Sequence, residues 1–106
     1  MVRVRWTDIA VENLTDIGDY IGKDSVKYAK ITVRALFTSA NVLKQHPYIG
    51  RVVPEFNNPD IRELIRGNYR VIYRIIDEKN IDIITIHHSA RLLKNNPTLS
   101  DTLYYF

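Results

Sequence analysis

Residues 60 to 91, DIRELIRGNYRVIYRIIDEKNIDIITIHHSAR, hold the side chains of this chain best suited to grip another molecule or move a proton. Arg62, Arg66, Arg70 and Arg74 recur at steps of four, Arg91 follows them, and His87 and His88 are adjacent. Arginine offers a planar fork of donors that fits carboxylates and phosphates, and histidine exchanges a proton near neutral pH. Neighbouring residues of a strand point to opposite faces, so His87 and His88 cannot chelate one metal together, and no metal or other cofactor is expected. The stretch has six Lys/Arg against five Asp/Glu. Pairing with Glu63, Asp77 or Asp82 would therefore neutralise much of its positive charge. A preceding loop brings Arg51 and Glu55 to the margin of the same surface.

Periodicity identifies the elements that must position these groups. Val2, Val4 and Trp6 alternate with Arg3 and Arg5, which predicts a strand. Thr7 is placed as an N-cap, and Ala10, Leu14, Ile17 and Ile21 form the inner stripe of a helix that Gly22 stops. Asp24 or Ser25 caps a second helix, whose stripe runs from Val26 through Leu36 and Leu43 to about Gln45, a rod of roughly 30 Å. The two helices form an antiparallel hairpin. It sets an acidic stripe (Asp8, Glu12, Asp16, Asp19) near a basic one (Lys27, Lys30, Arg34), unless both are simply solvated faces.

The loop HPYIGRVVPEFNNPD, residues 46 to 60, carries a short extended piece at Arg51 to Val53. Three strands follow, at 61–66, 69–77 and 81–88, with Gly67-Asn68 as a two-residue hairpin turn. Tyr69, Val71, Tyr73 and Ile75 share the face expected to pack on the helices; Arg70, Ile72, Arg74 and Ile76 share the open, concave face. The expected fold is α+β, in the order β-α-α-β-β-β, with the helical hairpin on one face of a twisted antiparallel sheet. The tail 94–106 either folds back as an edge segment or makes an oligomer contact.

A chain of 106 residues, 45% apolar and 25% charged, is expected to form one domain, 1–106. It has no cysteine, which excludes a disulfide scaffold and any Cys-based site and suggests a reducing compartment. Arg3, Arg5, Asp8 and Glu12 interrupt the start, and no run approaches the ~18 apolar residues of a membrane helix. A soluble, cytoplasmic protein without membrane contact is expected. The formal charge of +3 permits an anionic partner, and seven tyrosines beside the cations suit a contact surface.

The segments GRVVPE (50–55), IRELIRGNYRVIYRI (61–75) and IITIHHSARLL (83–93), in this order after a strand and a helical hairpin, resemble the RelE/ParE superfamily of type II toxins. The resemblance covers about residues 2–93 and is closer to the ParE, or plasmid stabilisation protein, branch. It implies a growth-inhibiting toxin neutralised by a small, partly disordered, adjacently encoded antitoxin, in a toxin–antitoxin hetero-oligomer. The antitoxin is expected to cover the hairpin groove and a sheet edge. Two activities live on this fold: ParE-like members poison DNA gyrase, and RelE-like members cut messenger RNA on the ribosome without metal.

For the ribonuclease, the resemblance implies Glu55 as base, Arg70 as phosphate clamp and His87 or His88 as acid, with Arg51, Arg62 and Arg66 holding the backbone. Under either activity, Arg51, Arg62, Arg66, Arg70, Arg74 and Arg91 are the expected substrate or target contacts. The chain continues well past Arg91 and has no lysine between Gln45 and Lys79, which departs from the nuclease pattern and favours gyrase as target. The alternatives are the ribosome-dependent endoribonuclease and an inactive antitoxin-binding module.

Overall fold

The computed structural model describes residues 1–89, so Arg91 and the tail 94–106 lie outside the described residues. The chain opens with β1 (Arg3–Trp6), α1 (Asp8–Gly22) and α2 (Val26–Ser39), and α2 runs on into a 3-10 turn, Ala40–Lys44. Then come β2 (Arg51–Val52), β3 (Ile61–Arg66), β4 (Tyr69–Ile75) and β5 (Asn80–His88). All five strands form one sheet in the order β1-β5-β4-β3-β2. The β2–β5 ladder is antiparallel throughout, and β1 joins β5 in parallel, which makes the sheet mixed. The helical hairpin fills the connection between β1 and the later strands, and such a crossover is what a parallel neighbour needs.

Local chemistry explains most boundaries. Thr7 accepts a hydrogen bond from the Ala10 amide at 3.2 Å and donates its hydroxyl to the Ile83 carbonyl at 2.8 Å, so one residue caps α1 and ties it to β5. Thr7→Ala should therefore lower the unfolding free energy by about 1–2 kcal/mol, read from the urea midpoint. Ser25 caps α2 by accepting from the Tyr28 amide at 3.0 Å. Gly67, at φ 57, supplies the left-handed residue of the β3–β4 turn.

The second helix is shorter than its apolar stripe predicts. It spans 14 residues before the 3-10 turn takes over. Thr38 donates to the Arg34 and Ala35 carbonyls and Ser39 to the Leu36 carbonyl, and these hydroxyls compete with the α-helical ladder where it tightens. Among the described residues no ion pair joins the acidic stripe of α1 to the basic stripe of α2. Between the helices lies an apolar groove of about 850 Å³ lined by Leu14, Val26, Ala29, Val33 and Phe37, with Lys30 and Arg34 beside it.

The main core lies between the helices and one face of the sheet: Ala10, Leu14, Leu36 and Leu43 against Val71, Tyr73, Ile81 and Ile83. The Tyr/Val/Ile face of β4 thus packs on the helices. Trp6 stacks on Phe37 at 5.2 Å beside this core. The other face is less open than its sequence suggests. Val53, Ile61 and Ile72 form a second small cluster with Phe56 and Ile84, because the loop after β2 folds its apolar residues down onto the sheet. No described helix is long and apolar enough to cross a membrane.

Candidate functional site

Strand alternation and register sort the arginines onto two faces. Ile61, Glu63 and Ile65 point away from the helices, so Arg62, Leu64 and Arg66 point toward them. In β4 the parity is reversed, because Arg66 pairs with Tyr69 across the two-residue turn. Arg70 and Arg74 consequently lie on the face away from the helices, and Arg51, opposite Glu63, lies there too. The recurrence at steps of four does not form one basic row.

Arg62 is used inside the fold. Its guanidinium donates to the backbone carbonyls of Pro59 (2.8 Å), Tyr48 (3.2 Å) and Gly50 (2.9 Å) and sits 5.0 Å from the Tyr48 ring centroid. It staples both arms of the 46–60 loop. Tyr73 grips the same loop from below: its hydroxyl donates to the Pro47 carbonyl at 2.8 Å and accepts from the Gly50 amide at 3.1 Å. Burial pushes the Tyr73 phenol up from its ordinary value, which keeps this donor neutral. Arg66, exposed at the hairpin end, donates to the Ile65 carbonyl.

Held in this way, the loop delivers Arg51 and Glu55 to Arg70 and Glu63. Arg70 Nη1 and Nη2 donate to the two Glu55 carboxylate oxygens at 3.0 Å each, and Nε donates to Glu63 at 2.5 Å. Arg51 Nε donates to the other Glu63 oxygen. The result is an alternating chain, Arg51–Glu63–Arg70–Glu55, whose two positive and two negative charges cancel. Its members differ sharply in exposure. The Glu63 and Arg70 side chains are 0% and 9% exposed, whereas those of Glu55 and Arg51 are 43% and 61% exposed.

This neutral lock shapes the chemistry. The hydrogen bonds from Arg70 hold the Glu55 carboxyl below its ordinary 4.5 despite partial burial, and the same bonds, opposed by burial, raise the Arg70 guanidinium. A general base works best with a pKa near the operating pH, and Glu55 is moved away from it. Because the folded-state pKa of Glu55 is depressed, its contribution to stability is complete above 4.5 and is lost as pH falls through the lower folded value. The urea midpoint should therefore drop on acidification below about pH 4.5, and less steeply in Glu55→Gln.

His87 pairs with Arg70 across the β4–β5 register and is 4% exposed. His88 points to the helix side, edge-on to Tyr69 at 5.4 Å, and lines a cavity of about 520 Å³ with Asn13, Asp16 and Tyr20. Glu55, Arg70 and His87 are thus gathered on one face, and His88 is not with them. Arg74 shares that face opposite Asp82, which also binds Arg5 at 2.7 Å. Among the described residues no group of three acidic or histidine side chains converges as metal ligands.

The sequence offered Glu63 only as one possible neutraliser. Its position in Ile61-Arg62-Glu63-Leu64-Ile65, an acid at an apolar parity, marks a buried carboxylate. Asn13 carries no such signal in the sequence: its side-chain oxygen accepts from Thr85 Oγ1 (2.7 Å) and the Ile86 amide (3.1 Å) beside the irregularity at Ile72/Tyr73.

Two helices on one face of a five-stranded mixed sheet make up the toxin fold of the RelE/ParE superfamily. A family described as the ParE toxin of the type II toxin–antitoxin system, parDE, matches residues 4–93, and the chain belongs to it. It is 35% identical over 92 residues to Toxin RelE2 of Caulobacter vibrioides, covering 87% of this chain and 100% of that one. It is 33% identical over 89 residues to Putative toxin Y4kP of Sinorhizobium fredii, covering 82% and 88%. Among solved structures it resembles the chromosomal ParDE toxin–antitoxin system from P. aeruginosa (TM-score 0.68, 25% identity, 83% of this chain and 96% of that one). It also resembles the toxin–antitoxin complex RelBE2 from Mycobacterium tuberculosis (TM-score 0.59, 26% identity, 86% and 97%). The protein is a toxin of a type II toxin–antitoxin system.

Proposed function

We propose that this toxin acts by binding a protein target, DNA gyrase, and not by cutting RNA. The observation that carries this is the closed Arg51–Glu63–Arg70–Glu55 chain: the base and the phosphate clamp a nuclease needs are spent on each other. Purified toxin should slow supercoiling by gyrase and accumulate cleaved DNA complexes. Unaffected gyrase at micromolar toxin, together with A-site cuts in messages on translating ribosomes, overturns the proposal.

The gathering of Glu55, Arg70 and His87 on one face favours the endoribonuclease as a second reading. It requires Glu55→Gln and His87→Gln to abolish ribosome-dependent cleavage while leaving the fold intact. Under either target, we expect an adjacently encoded antitoxin to lay an amphipathic segment into the apolar groove between α1 and α2. Both structural neighbours come from toxin–antitoxin systems, which supports such a partner. Failure of the two purified proteins to form a complex counts against it.

A further inference from the structure

We infer that Arg70 is a receptor for a protein carboxylate and that Glu55 is its displaceable, built-in occupant. The inference rests on the geometry of the pair and not on gyrase as the target.

The guanidinium is held in place from behind. Its Nε is bonded to the fully buried Glu63, which Arg51 clamps from the far side. Its position on the central strand β4 is fixed by pairing to β3 and β5 on both flanks. Nη1 and Nη2 reach the loop, where they take the two oxygens of one carboxylate at equal distances of 3.0 Å, and Nη2 also lies 2.5 Å from Glu63 Oε1, so the buried acid braces the fork it shares. Such a preorganised fork is an oxyanion receptor whatever supplies the anion.

Glu55 is attached far less firmly. It stands in a loop, 43% of its side chain is exposed, and its carboxylate is held by Arg70. The loop itself does not depend on Glu55. Val53 and Phe56 anchor it in the small cluster on the sheet, Arg62 holds both its arms, and Tyr73 holds the earlier one. Glu55 can therefore swing out while the loop stays seated, and an acidic side chain arriving from solvent meets the same two donors. No charge is left buried during the exchange, because one carboxylate replaces another. The occupant already present is planar and carboxylic, so an aspartate or glutamate of a protein partner fits better than a tetrahedral phosphate. The internal occupant reduces apparent affinity by the fraction of time it fills the site.

The test uses the purified chain and follows the backbone amide resonances of residues 55 and 56, beside the fork and present in every variant, during titration with acetate. Glu55→Ala should give a saturable shift at a concentration at least about tenfold below that needed for the unsubstituted chain. Adding Arg70→Lys should abolish it. Glu55→Gln serves as the second variant, and both should keep the amide spectrum of the folded chain. The inference is overturned if neither variant folds, since a displaceable group cannot be essential to the fold. It is equally overturned if acetate gives no saturable shift in the variants, if variant and parent respond alike, or if inorganic phosphate binds more tightly than acetate. The source of the carboxylate is separated by two further readings on Glu55→Ala. Tighter binding of the antitoxin in calorimetry assigns it to the antitoxin, and growth arrest at a lower toxin dose assigns it to the target. If neither antitoxin affinity nor growth arrest changes, the inference that the site receives a partner's carboxylate is overturned.

Discussion

Arg70→Met should lower the unfolding free energy by about 3 kcal/mol, measured by urea denaturation with an unchanged slope. The reason is Glu63 more than Arg70 itself. The Glu63 carboxylate is fully buried in the sheet, and Arg70 is its buried partner. Removing one member of a buried pair typically costs about 3–5 kcal/mol, because the charge left behind is poorly solvated. Arg51 remains on the other Glu63 oxygen, but its side chain is 61% exposed, so it offsets only part of the loss and the lower end applies. Since small domains are stable by only about 5–15 kcal/mol, the effect is a large share of the total. Glu63→Leu combined with Arg70→Met should recover most of it, because well-packed apolar residues replace buried ion pairs at little cost. A double variant as unstable as the single one would show that the loss comes from packing and not from the stranded carboxylate. Any drop in toxicity of an Arg70 variant thus has to be read against its stability before Arg70 is assigned a role in the target complex.

Gly50→Ala should cost about 2–3 kcal/mol, seen as a fall in Tm of about 4–8 °C for each kcal/mol. A Cβ built at Gly50 would lie 2.6 Å from the Glu63 carbonyl oxygen, 2.7 Å from the Tyr73 hydroxyl and 2.8 Å from its ring. The carbonyl belongs to β3 and cannot yield without disturbing the sheet. Gly50 is also bonded on both sides, donating its amide to Tyr73 and offering its carbonyl to Arg62. The expected strain moves Arg51, the next residue, away from Glu63. Tyr73→Phe isolates the hydroxyl's contribution: it removes that clash but leaves those with the ring and with the Glu63 carbonyl. If Gly50→Ala is fully tolerated in that background, the clash with the strand is not the controlling one.

Much of this architecture is legible from local sequence. Thr7 and Ser25 cap because short polar side chains satisfy the first free amides of a helix. Gly67 turns because it lacks a Cβ, and Val4, Trp6, Val71 and Tyr73 sort to the helix side by simple alternation. The split of the arginines was also written there. A two-residue turn pairs residue 66 with residue 69, so Arg66 and Arg70 must face opposite ways, although equal spacing suggests a single row. The end of α2 was harder, because the apolar stripe continues past Ser39 while the backbone tightens beneath it.

Sequence by itself determined the elements, their order, the face that packs and the toxin family, since these follow from short-range periodicity and from motifs in a fixed order. Only the tertiary structure decided which charges meet. Arg70 binds Glu55 and Glu63, residues 15 and 7 positions away, and Tyr73 holds Pro47 from 26 positions away. Those contacts depend on register and on a loop folded over the sheet, and their strength depends on burial. No local pattern carries any of these quantities, and together they turn a row of candidate catalytic and binding residues into a neutral lock with one exchangeable end.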